Sequence, residues 1–289
     1  MNRRDAVVLV AGAMVAGRWA IANAPRQPGV RFSFMLWALQ KEAPFDRVLE
    51  MVAEAGYQGV ELVGEFQKWT PDERARILGK IKALGLTVDS MSGVKAGFSV
   101  PSESGAFLDQ FAEHVDAAVE LGCPQVILLS GKQVVGLAEG VQRAAAIENL
   151  KRAASIAAKK HIEIVIEPID LLEQPGIFLA SVTEGFEIAR AVGAPNLKVL
   201  YDLYHEQRSF GNLIEKLERN IDMVGLIHVA DVPGRHEPGT GEIDYPEIYL
   251  RLAKLKYDRW IAMEYYPTGD VVESLKKARV QAQTALAQG

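Results

Sequence analysis

From residue 30 onward, short apolar runs alternate with longer segments whose apolar positions recur every three to four residues. The first kind reads as strand and the second as amphipathic helix. Strands are predicted at Arg31–Ala38, Gly59–Val63, Leu86–Ser92, Gln125–Ser130, Ile162–Ile169, Leu197–Tyr204, Val224–Val232 and Trp260–Tyr265. Several are nearly unbroken in Val, Ile and Leu, as parallel strands covered on both faces should be. Helices are predicted at Phe45–Ala55, from Thr70 towards Gly85, and at Ala106–Leu121, Leu137–Lys160, Val182–Val192, Asn212–Ile221, Tyr245–Leu255 and Val271–Leu286. Thr70-Pro71-Asp72-Glu73 combines a capping hydroxyl, proline at the first helical position and early acidic charge. Gly56 and Gly122 stand where helices should stop.

Eight strands and eight helices in strict alternation predict an α/β fold with right-handed crossovers, closed as a single (β/α)8 TIM barrel. An open doubly wound sheet is the alternative. It would bring a glycine-rich turn after the first strand, and FMLWALQKEAP has none. The barrel is expected to occupy residues 30–289.

The first residues differ in kind. MNRR is followed by an apolar stretch from Ala6 to Gly17, then Ala22-Asn23-Ala24 ahead of Pro25. A charged start, a short apolar core and a small-residue cleavage site predict a secretory signal over residues 1–24. The Arg3-Arg4 pair makes it of twin-arginine type and implies an exported, periplasmic protein with no stable membrane span after processing. An N-terminal anchor, or a cytoplasmic protein with a mis-assigned start, are the other readings.

Composition narrows the function. The chain has 289 residues, 49% of them hydrophobic, and a net charge of −5. That balance offers no basic footprint for nucleic acid. The single cysteine, Cys123, sits ahead of an apolar run and reads as a buried hydrophobe.

Against this apolar background, three late strands carry a carboxylate near their C-terminal ends. Strand five ends EIVIEPID with Glu167, strand six reads LKVLYDLYH with Asp202, and strand eight reads WIAMEYYP with Glu264. Strand seven, VGLIHVAD, supplies His228 at the matching depth. Asp and Glu are depleted in strands, and burying a lone carboxylate is costly. In a (β/α)8 barrel these four ends converge on the catalytic mouth. Three carboxylates and an imidazole there predict one divalent metal ion: Mn, Mg, Co or Zn.

IEPID, YDLYH, HVADVPGRHEPGTGEIDY and EYYP, with GVEL after the first helix and SGK at strand four, resemble hydroxypyruvate isomerase within the wider xylose-isomerase-like barrel superfamily. The resemblance runs from about Arg31 to the end. It implies that Glu167 and Glu264 are both ligands and the acid/base pair, with Asp202 and His228 completing the coordination. It also implies that His205, Arg235 and Glu173 line a small sugar or hydroxy-acid substrate, and it makes a homo-oligomer plausible. Hydroxypyruvate isomerases tend to carry glutamine where this chain has His228; the histidine is more similar to the ketose 3-epimerase and inosose dehydratase branches.

The reaction implied is proton transfer between adjacent carbons through an enediolate, such as hydroxypyruvate to tartronate semialdehyde. The alternatives are ketose 3-epimerisation and dehydration on the same site. Arg235, and less directly Lys132, could hold a substrate carboxylate. His205 could instead orient a ligand carboxylate. Glu242 is expected to cap the following helix or to order its loop. No role is assigned to His236, and His114 and His161 read as packing or surface residues. An endonuclease of the same superfamily would need more metal-binding histidines than five can supply and a basic surface. A non-catalytic sugar-binding barrel is countered by the intact ligand set.

Overall fold

The computed structural model describes residues 29–138 and 140–289, so the predicted leader lies outside the described residues. Eight parallel strands close in sequence order, β1 pairing with β8. They are β1 Arg31–Met35, β2 Gly59–Val63, β3 Thr87–Ser92, β4 Gln125–Leu129, β5 Glu163–Glu167, β6 Leu197–Asp202, β7 Val224–Val229 and β8 Trp260–Met263. Around them lie α1 Phe45–Glu54, α2 Pro71–Ala83, α3 Ser104–Leu121, α4 Val141–Ala158, α5 Val182–Val192, α6 Leu203–Ser209, α7 Leu213–Asn220, α8 Tyr245–Lys254 and α9 Val271–Leu286. No helix among the described residues is long and apolar enough to cross a membrane.

Strand parity sets the two cores. Outward residues such as Phe32, Phe34, Ile164, Ile166, Val199, Ile227 and Ile261 pack under the helices. Inward residues Met35, Ile127, Val165, Leu200, Leu226, Trp260 and Ala262 fill the barrel. Because side chains alternate along a strand, the residue two places beyond an inward one also points inward. Val165, Leu200, Leu226 and Ala262 therefore put Glu167, Asp202, His228 and Glu264 on the barrel axis, above an apolar floor. Register agrees: Asp202 pairs with His228, and His228 with Ala262. Each fully buried Val, Leu or Ile contributes about 1.5–3 kcal/mol to holding that floor.

The structure departs from expectation at the mouth. Nine α-helices are present among the described residues rather than eight. The extra one, α6, begins where strand six was expected to continue to Tyr204. The Asp202 side chain accepts the His205 backbone N–H at 3.0 Å, capping the helix and ending the strand. Strand one was predicted to Ala38 but gives way after Met35 to a 3-10 turn, Leu36–Leu39. Strands five and seven also stop early, at Glu167 and Val229. Helix α4 starts at Val141, not Leu137, because the preceding loop turns at Gly136 and Gly140, both at positive φ. The capping box predicted at Thr70 and Glu73 is formed.

Candidate active site

Glu167, Asp202, His228 and Glu264 are all buried, and each offers a ligand atom within 4.8 Å of the others'. The chemistry of this set fits a divalent cation. Two carboxylates at such a separation repel by about 3–4 kcal/mol at an effective dielectric of ~20. Three of them need compensating positive charge. Arg235 supplies part: its Nη2 lies 2.8 Å from Glu264 Oε2 and 3.8 Å from Asp202 Oδ2. The His205 and His228 rings, both raised towards their charged forms, supply the rest, and a divalent cation on these oxygen and imidazole donors would take over that compensation.

The two glutamates are treated oppositely. Burial, reinforced by the charge of Glu264, pushes the Glu167 carboxyl up to about 7. Burial also works against ionisation of Glu264, but Arg235 and His228 outweigh it and hold this carboxyl well below the usual range. His228 Nδ1 stands 2.8 Å from Glu264 Oε2, and its Nε2 faces Glu61 Oε2 at 3.0 Å. Burial opposes a charged ring, yet the two glutamates raise its pKa well above the ordinary histidine value.

His205, on the first turn of α6, is buried beside this set. Its Nδ1 lies 2.7 Å from Asp170 Oδ2 and donates, since a carboxylate only accepts. Its Nε2 faces Asp202 at 3.6 Å and Glu167 at 3.9 Å. Burial lowers the ring's proton affinity, but Asp202 and Asp170 turn the net effect upward.

Arg235 is buried at positive φ (57°), with its guanidinium between the rings of Trp37 and Tyr204 at 5.2 and 5.1 Å. Its Nη1 pairs with Glu173 at 2.9 Å. The loop carrying it is ordered by Asp231, whose carboxylate accepts backbone N–H groups of Val232, Gly239, Gly241 and Ile243. Glu173 also binds Arg208, which reaches Asp170 and the Tyr204 hydroxyl. Glu173, His205 and Arg235 are thus gathered at the mouth.

Among the described residues no hydrogen bond or ion pair joins the Lys132 side chain to these groups. Its backbone bridges to Ile177, its side chain is exposed, and among the described residues its ammonium makes no ion pair. Glu242 does not cap the next helix; Asp244 does, accepting from Glu247 N–H at 3.2 Å. Glu242 instead orders its loop through Gln207 and the Val232 carbonyl. His236 binds the Tyr266 carbonyl, His114 packs beside Phe66 and bonds Gln67, and His161 sits exposed after α4. Cys123 is buried, and burial pushes its thiol up, away from reactivity.

Sequence reasoning missed Trp37, Asp170, Arg208, Tyr204, Asp231 and Glu61. Glu61 carried the same signal as Glu167, Asp202 and Glu264, an acidic residue within an apolar strand. Trp37 carried none.

Residues 49–283 match the family described as xylose isomerase-like TIM barrel. The chain belongs to that family. It is 32% identical over 244 residues to hydroxypyruvate isomerase of Escherichia coli (strain K12), covering 82% of this chain and 94% of that protein. It is also 32% identical over 245 residues to 2-oxo-tetronate isomerase of Cupriavidus necator, covering 82% and 93%. Among solved structures, one titled AP endonuclease, family 2, from Brucella melitensis superposes with a TM-score of 0.79 at 26% identity, covering 88% of this chain and 99% of that one. With relatives named as isomerases along nearly their whole length, this family member is an enzyme of the isomerase class.

Proposed function

We propose that the chain is a metal-dependent isomerase of short 2-oxo hydroxy acids, converting hydroxypyruvate to tartronate semialdehyde or acting on a close homologue. The observation that carries this reading is the buried set of Glu167, Asp202, His228 and Glu264, whose ligand atoms lie within 4.8 Å of one another. Arg235 and His228 favour the ionised form of Glu264 and burial raises the Glu167 carboxyl, while an ion bound to both would favour the ionised form of each. Glu264 would take the proton from C3, and Glu167 would return one to C2. The C3 hydroxyl proton shifts to the C2 oxygen, so the product has the substrate's mass. His205, whose Nε2 faces Glu167 and Asp202, would donate to a substrate oxygen. Arg235 would hold the substrate carboxylate or an oxygen that gathers charge. Glu167, Asp202, His228 and Glu264 would hold a divalent ion, which would supply Lewis-acid stabilisation of that charge.

A ketose 3-epimerase is the second reading, favoured by histidine rather than glutamine at position 228. A panel of hydroxypyruvate, 2-oxo-tetronate, ketoses and inosose in deuterated water separates the classes. Solvent deuterium in an equal-mass isomer of a 2-oxo acid supports the proposal. An exchanged ketose epimer without any 2-oxo-acid turnover would overturn it, and loss of water would point to a dehydratase. The proposed leader over residues 1–24 predicts that protein from its native host begins after Ala24, which N-terminal sequencing checks.

A further inference from the structure

Glu61 lies in the middle of β2, whose neighbours Val60 and Leu62 pack outward under the helices. It points into the barrel and is wholly buried. A carboxylate there is tolerated only with strong partners. One is Ser90 on the adjoining strand, whose hydroxyl donates to Glu61 Oε1 at 2.7 Å. The other oxygen, Oε2, has no hydrogen-bond partner and stands 3.0 Å from His228 Nε2. That nitrogen is itself buried and without a hydrogen-bond partner. Two orphaned, complementary atoms therefore meet across the barrel, from β2 to β7.

We propose that Glu61 is the positioning residue that aims His228 at the divalent ion, accepting its Nε2–H so that Nδ1 is left facing Glu264 and Asp202. The proposal rests on the metal-site reading above. A carboxylate behind a metal-binding imidazole selects the tautomer, fixes the ring plane and makes the other nitrogen a better donor. Ser90 fixes the carboxylate in turn, so a chain of three side chains sets the angle of one ligand. Glu61 does not reach the reacting atoms.

The test uses E61A, E61Q and S90A, with Mn²⁺ binding measured by calorimetry on the metal-free protein. E61A should weaken binding by about 10–100-fold. E61Q, whose amide oxygen can still accept from Nε2–H and whose amide can donate to Ser90, should stay within about threefold, and S90A should fall between. Nitrogen-15 histidine spectra give a second readout independent of metal. A slowly exchanging Nε2–H signal of His228 should be present in wild type and E61Q and lost in E61A. Wild type that binds no divalent ion overturns the metal reading and this proposal together. Tight wild-type binding that E61A shares within about twofold, or an Nε2–H signal unchanged in E61A, overturns the role of Glu61 alone.

Discussion

Trp37 Nε1 donates a 2.7 Å hydrogen bond to Glu264 Oε1, tying the turn after the first strand to the end of the last. The pairing of β1 with β8, which sets Phe34 beside Met263, makes this contact possible. With Arg235 and His228 on Oε2, both oxygens of Glu264 are held. The carboxylate proposed as the base is oriented from three directions.

Trp37→Phe keeps the ring under Arg235 and removes only the N–H. A hydrogen bond to a charged group is worth about 1.5–3 kcal/mol. Proton exchange at the substrate carbon should fall about 10–100-fold with little change in thermal unfolding. Unaltered kcat would show that Arg235 and His228 suffice to orient Glu264.

Removing either acid/base group should be far more severe. Glu167→Gln and Glu264→Gln should each lower deuterium exchange by at least about 10²–10⁴-fold. Glu264→Gln should also destabilise the protein more, since it leaves the buried Arg235 and His228 charges short of a partner. Calorimetric melting of the two variants checks the order.

Stripping divalent ions with a chelator should abolish turnover and lower Tm, and restoring an ion at ~100 times its Kd should return about 2.7 kcal/mol of stability. Full activity in the stripped enzyme would sink the metal-dependent mechanism.

The Asp170–His205 pair predicts a pH window. The His205 hydrogen bond and the charges of His205 and Arg208 lower Asp170 despite its burial, while Asp202 and Asp170 raise His205 despite its own. A lowered carboxyl contributes stability present above its unfolded pKa near 3.8 and lost as pH falls through its folded value. A raised histidine contributes stability fully present below 6.5 and lost as pH rises through its folded value. The Tm advantage of wild type over Asp170→Asn should therefore be greatest between about pH 4 and 6.5 and shrink on both sides. A difference that stays constant below about pH 4 and above pH 6.5 would show that the pair does not set this dependence.

Gly241 has no room for a side chain: a Cβ would stand 2.0 Å from the Val232 carbonyl oxygen and 2.6 Å from an Asp231 carboxylate oxygen. Gly241→Ala should displace the loop that presents Arg235 and cut kcat/KM by about 10²-fold, as an ångström of misplacement does elsewhere. Parallel loss in Asp231→Asn, with the barrel's far-ultraviolet dichroism unchanged, would locate the damage in the loop.

The alternation of apolar strands with amphipathic helices, and the acidic residues near three strand ends, made the barrel and its buried cluster legible in the sequence. Val165, Leu200, Leu226 and Ala262 fix which parity faces inward, and the alternation of a strand then carries Glu167, Asp202, His228 and Glu264 to the axis. These are local rules, and every residue they need lies within a few positions. What no local rule contains is which distant side chains meet once the sheet closes. Trp37 reaches Glu264 across 227 positions, Glu61 meets His228 from another strand, and Asp170 holds His205 from another loop. The early end of β6 was likewise decided in three dimensions as much as in sequence. YDLYH is compatible with a longer strand until Asp202 caps the turn that brings His205 back towards Asp170. The four clustered residues were legible because each interrupts an apolar strand; their supports were not, because closure of the barrel creates those contacts.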